Sequence, residues 1–68
     1  MEVIFELTRL GATTKVVAID PETGTEVTIQ GPSGMTEAAL KRNALNKLHY
    51  VLKKKEKDGQ SGDSGLYV

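Results

Sequence analysis

The chain is expected to fold as a two-layer α+β unit, a three-stranded antiparallel β-meander in order 1-2-3 with one C-terminal α-helix packed on one sheet face, followed by a disordered C-terminal tail. Three observations lead there. Lys15 to Asp20 is a short apolar stretch with a turn signal at each end, Gly11-Ala12 before it and Asp20-Pro21-Glu22-Thr23-Gly24 after it, so both neighbouring runs can fold back as hairpins. After Gly34 the apolar residues change to helical spacing. Residues 58–65 are Gly, Ser, Asp and Gln, a composition that cannot bury enough surface to order itself. The expected division is a βββα domain over 1–57 and a flexible tail over 58–68.

Residues 2–10, 13–20 and 25–30 read as the strands, being rich in Val, Ile, Thr and Phe. If Gly11-Ala12 is a two-residue turn, Leu10 faces Thr13, which sets Leu7 opposite Val16 and Phe5 opposite Ala18. If Pro21 to Gly24 is a four-residue loop, Asp20 faces Thr25, Ala18 meets Val27 and Val16 meets Ile29. One face then shows Val3, Phe5, Leu7, Val16, Ala18, Val27 and Ile29, all apolar. The opposite face is mixed, with Ile4, Val17 and Ile19 as a small apolar island. Gly31-Pro32-Ser33-Gly34 is expected to end the sheet, since proline cannot donate to a ladder.

A helix is expected from about residue 35 or 36 to about residue 55. Thr36 or Ser33 can cap its start, Glu37 lies at the positive end of its dipole, and Lys53, Lys54 and Lys55 lie at the negative end. Leu40, Ala44, Leu45, Val51 and Leu52 fall within about 80° of Leu48 on the helical wheel, a stripe wide enough to cover the sheet.

At 68 residues the chain forms one domain at most and buries only about 60% of its unfolded surface, which leaves no room for a large active-site cleft. The chain has no cysteine, which excludes a disulfide framework and thiolate chemistry. No apolar run reaches signal-peptide or membrane-span length, and a cytoplasmic location is expected. The net charge of zero hides an asymmetry: residues 1–40 sum to −4 and residues 41–68 to +4. An acidic sheet is joined to a basic helix.

No nucleophile and base pair, paired catalytic carboxylates or phosphate-binding loop is present, so no enzyme, cofactor or metal is expected. Gly62-Asp63-Ser64-Gly65 copies the letters around the nucleophile of chymotrypsin-like proteases, but a flexible linker explains them in so short a chain. His49 is the single histidine, and at about 100° from Leu48 it reads as a boundary residue half covering the core.

Two surfaces are candidates for partners. Ile4, Val17 and Ile19 could seat a protein or a second copy in a weak homodimer, and the sheet edges could accept another strand. Arg42, Asn46, Lys47, Tyr50, Lys53 and Lys54 on the outer helix face have the ingredients of a nucleic-acid surface, with bases and amides for phosphate and a ring for stacking. A solvated basic face is the plain alternative. Leu66-Tyr67-Val68 has the apolar-aromatic-apolar form that carboxylate-capturing grooves bind.

Glu2-Val3-Ile4-Phe5-Glu6, Val17-Ala18-Ile19-Asp20-Pro21-Glu22-Thr23-Gly24-Thr25-Glu26-Val27, Gly31-Pro32 and Ala39-Leu40-Lys41-Arg42-Asn43-Ala44-Leu45-Asn46-Lys47-Leu48 with Tyr50-Val51-Leu52 together resemble a family of small bacterial proteins of unknown function. The resemblance covers about residues 2–55 and implies a small standalone cytoplasmic protein. It brings no activity or site residues. The strands leading into a basic helix also resemble, in topology alone, the second half of double-stranded RNA-binding domains, although Glu37 stands where those domains place phosphate-binding lysines. The expected function is a small non-catalytic interaction module, with nucleic-acid binding as the alternative.

Overall fold

Two glycines with positive φ set the sheet. In the computed structural model, which describes residues 2–61, Gly11 has φ 62° while Ala12 stays at negative φ, the backbone of a type II′ turn. It joins β1 (Ile4–Leu10) to β2 (Thr13–Asp20). Gly24, at φ 75°, closes the loop to β3 (Thr25–Pro32) by donating its N–H to the Asp20 carbonyl at 2.8 Å. The Asp20 side chain holds that loop from within: Oδ1 accepts the Glu22 N–H at 3.1 Å and Oδ2 accepts the Thr23 hydroxyl at 2.9 Å. Asp20 is buried, and these bonds replace the water its carboxylate loses.

The strands pair antiparallel in the order β1-β2-β3. Leu10 faces Thr13, Leu7 faces Val16 and Phe5 faces Ala18; Asp20 faces Thr25, Ala18 faces Val27 and Val16 faces Ile29. The expected register holds at every one of these pairs.

Strand β3 continues two residues beyond the expected end, with Gly31 opposite Thr14 and Pro32 opposite Thr13. The Ser33 N–H donates to the Ala12 carbonyl at 2.8 Å, which makes Thr13 and Pro32 a non-hydrogen-bonded pair, whose own backbone groups do not bond to each other. The ring nitrogen of Pro32 therefore points off the sheet, and the missing donor costs the ladder nothing. Ser33 is not the helix cap; its hydroxyl donates to the Gly11 carbonyl at 3.0 Å and accepts from Thr14 at 2.9 Å, tying the first turn to the end of β3.

The cap is Thr36, whose Oγ1 accepts the Ala39 N–H at 3.1 Å and whose carbonyl accepts the Leu40 N–H at 3.0 Å. Helix α1 (Glu37–Ser61) runs six residues past the expected end near Lys55. Glu56, Lys57 and Asp58 include no breaker, and Gly59 costs a helix only about 1 kcal/mol. Lys53, Lys54 and Lys55 consequently lie before the last turn, too far from the terminus to complement its dipole. Residues 62–68, with Ser64 and Leu66-Tyr67-Val68, lie outside the described residues.

Val16, Ala18 and Val27 from the sheet and Leu40, Ala44 and Leu48 from the helix form the buried core, with Val3, Phe5, Leu7, Ile29, Met35, Val51 and Leu52 packed around it. Two residues fix how the layers meet. A Cβ on Gly31 would stand 2.6 Å from Cδ2 of Leu40, so the leucine lies against bare backbone there. Leu40 is itself 2% exposed and has nowhere to move. Gly31→Ala is therefore expected to destabilise the fold by about 1–3 kcal/mol through overpacking, read as a lowered urea midpoint at unchanged slope.

Candidate functional site

Helix α1 returns along β3. Leu40 sits on Gly31, the Lys47 ammonium donates to the Thr28 carbonyl at 3.0 Å, and the Lys55 ammonium donates to the Thr25 hydroxyl at 3.1 Å. The helix packs on β2 and β3. A helix about 10 Å wide cannot also roof a third strand roughly 4.8 Å further out. The inward row of Phe5 and Leu7 on β1, with Val3 just before the strand, stays half-buried.

An open groove of about 420 Å³ results, lined by Val3 just before β1, by Phe5 on it, and by Leu45 and His49 from the helix. The Lys41 ammonium stands 5.8 Å from the centre of the Phe5 ring, close enough for a cation–π attraction at the groove wall. His49 is exposed at the rim.

The two edges of the sheet differ. Leu10 and Thr13 flank a two-residue turn and exchange both hydrogen bonds, so by alternation Ile4, Glu6, Thr8 and Leu10 bond to β2. The N–H and C=O groups of Phe5, Leu7 and Arg9 point away from the sheet, and no hydrogen bond among the described residues reaches them. On the other side Glu26, Thr28, Gln30 and Pro32 point outward. There the Thr28 carbonyl is taken by Lys47, and Pro32 has no N–H to offer. A lysine across the edge and a proline within it are devices that keep a strand from joining another. The β3 edge is guarded and the β1 edge is open.

The sequence-derived candidates are placed as follows. Ile4 is exposed, faces Ile19 in the register, and Val17 lies two residues from Ile19 on the same uncovered face, so the three are neighbours. Val17 and Ile19 are half-buried. Arg42, Asn46, Lys47, Tyr50, Lys53 and Lys54 are all exposed. Helical spacing spreads them over roughly 140° of arc, with Arg42, Asn46, Tyr50 and Lys53 forming one stripe and Lys47 and Lys54 on the β3 flank. The groove beside β1 and the use of Lys47 were not found by sequence reasoning. The signal available was width, since one helix was being asked to cover three strands.

Fold and site together define a small βββα unit with one open strand edge and an apolar groove beside it. The chain belongs to the family described as a domain of unknown function (DUF6898), which matches residues 1–55 and so spans all three strands and the helix through Lys55. No curated protein and no solved structure matches it.

Removing both guards should open the second edge. Lys47→Ala combined with Pro32→Thr restores a free carbonyl and an outward N–H on β3, and sedimentation velocity is expected to show species larger than those of the unaltered chain.

Proposed function

We propose that the protein is a small non-catalytic interaction module that receives a protein strand at the β1 edge. The difference between the edges carries this reading. A chain with two exposed edges has two routes to strand addition. Here one route is blocked by a lysine and a proline, while the other keeps three residues of outward backbone beside a half-buried apolar row. Backbone bonds would supply pairing, and the groove of Val3, Phe5, Leu45 and His49 would select side chains on the incoming strand. The apolar island of Ile4, Val17 and Ile19 continues the same surface onto the uncovered face through Ile4.

Edge prolines test it. Arg9 and Gln30 are exposed and hold outward N–H groups on β1 and β3 respectively. In binding to immobilised chain, read together with circular dichroism to establish folding, Arg9→Pro is expected to abolish association with protein partners and Gln30→Pro to leave it unchanged. Equal loss in both variants, or no loss in either, would remove the β1 edge as the docking site. Val17→Lys with Ile19→Lys separates the face from the edge: association that survives it is carried by the edge alone.

One observation supports a second reading, nucleic-acid binding by the helix. Tyr50 is 67% exposed, the most exposed large apolar side chain among the described residues, and it shares its stripe with Arg42, Asn46 and Lys53. On this reading, binding of single-stranded RNA weakens steeply between about 50 and 200 mM salt, and Arg42→Glu with Lys53→Glu abolishes it, as measured by fluorescence anisotropy.

A further inference from the structure

The side chains of β1 say what kind of strand its edge accepts. We propose that the edge pairs with β1 of a second copy of this chain, antiparallel about a two-fold axis through Leu7, giving one continuous six-stranded sheet with both helices on the same face. This rests on the reading of β1 as the docking edge and names its occupant.

A two-fold axis perpendicular to the sheet makes the added strand antiparallel and keeps inward residues inward. Leu7 is the middle residue of Ile4–Leu10, so an axis there pairs the whole strand. Phe5, Leu7 and Arg9 then face Arg9, Leu7 and Phe5 of the second copy. These are the three residues whose N–H and C=O groups point outward, and their pairing makes about six backbone hydrogen bonds.

The side chains on both faces agree with this register. On the uncovered face Ile4 meets Leu10 of the other copy; these are 44% and 62% exposed, and each is given an apolar neighbour. Glu6 meets Thr8, and Thr8 already has Lys15 on its other side in the sheet, so a glutamate and a lysine flank one short threonine and can reach each other across it. On the inner face Leu7 meets Leu7, which gives each half-buried leucine an apolar neighbour.

Neighbouring registers fail. An axis through Glu6 puts two glutamates directly opposite each other. An axis through Phe5 leaves Arg9 and Leu10 without strand partners, and one through Thr8 sets Glu6 against Leu10 and Ile4 against Ala12 in the turn. A foreign strand could use the same backbone groups, but the match of Ile4 to Leu10 and of Glu6 to Thr8 and Lys15 is a property of this chain against itself. A single strand pair buries less than the roughly 1,200 Å² of stable complexes, so the dimer is a weak one.

Sedimentation equilibrium on the full chain tests this. The mass of the unaltered chain should rise with concentration from the 7.3 kDa of one chain towards twice that value. Ile4→Lys with Leu10→Lys places like charges opposite each other only in this register, and should hold the chain at 7.3 kDa at every concentration; Ile4→Glu with Leu10→Glu should do the same. An equimolar mixture of the two variants should regain the dimer. An unaltered chain that remains a monomer up to about 1 mM, a lysine variant that dimerises normally, or a mixture that stays monomeric overturns the proposal. Should the unaltered chain be monomeric while Arg9→Pro still abolishes binding of a different protein, self-pairing falls and the docking edge stands; should Arg9→Pro change nothing, both fall.

Discussion

The close seat of Leu40 on Gly31 is the constraint from which the arrangement of the two layers follows. Because no Cβ stands between them, the start of α1 drops onto the end of β3 rather than onto the middle of the sheet. The turn from Pro32 to Met35, closed by the Met35 N–H donating to the Pro32 carbonyl at 3.0 Å, leaves the helix few directions in which to depart. It runs back above β2 and β3, where Ala44 and Leu48 meet Val16, Ala18 and Val27 in the fully buried centre.

That seat produces the asymmetry of the molecule. A helix displaced towards β3 brings Lys47 within reach of the Thr28 carbonyl and Lys55 within reach of the Thr25 hydroxyl, so its flank covers one edge with ammonium groups. The same displacement draws Leu45 and His49 away from β1 and leaves the groove above Val3 and Phe5. Guarding one edge and opening the other are thus one geometric event. The polar groups buried along the way are satisfied locally: Thr14 by Ser33, Asp20 by its own loop, and Thr25 by Thr23 and Lys55, with no buried side-chain donor or acceptor unpaired among the described residues.

A sheet of three strands and one helix has little apolar surface to spend on stability. Leaving the row Val3, Phe5 and Leu7 half-buried is therefore a real thermodynamic sacrifice, and a partner at β1 would recover it. The helix, by contrast, presents a basic outer stripe that contributes to no packing, and it extends to Ser61, beyond the residues matched by the family.

The strands, their pairing and the identity of the core rows are legible in the residues alone, because hairpin register depends on turn length and residue type. Gly11, Asp20 and Gly24 fix which residues face each other, and a period of two then sorts Val16, Ala18 and Val27 from Val17, Ile19 and Thr28. Local chemistry was also enough to find Thr36 as a cap, though not to choose it over Ser33, whose hydroxyl is claimed by a residue 22 positions away. Where the helix sits across the sheet, and with it the guarded edge, the open edge and the groove, is set by contacts between residues far apart in the chain. The periodicity of Leu40, Ala44 and Leu48 says that a face is buried but is silent on which strands bury it. That depends on a contact between Gly31 and Leu40 and on the reach of Lys47 to Thr28, which no local pattern encodes.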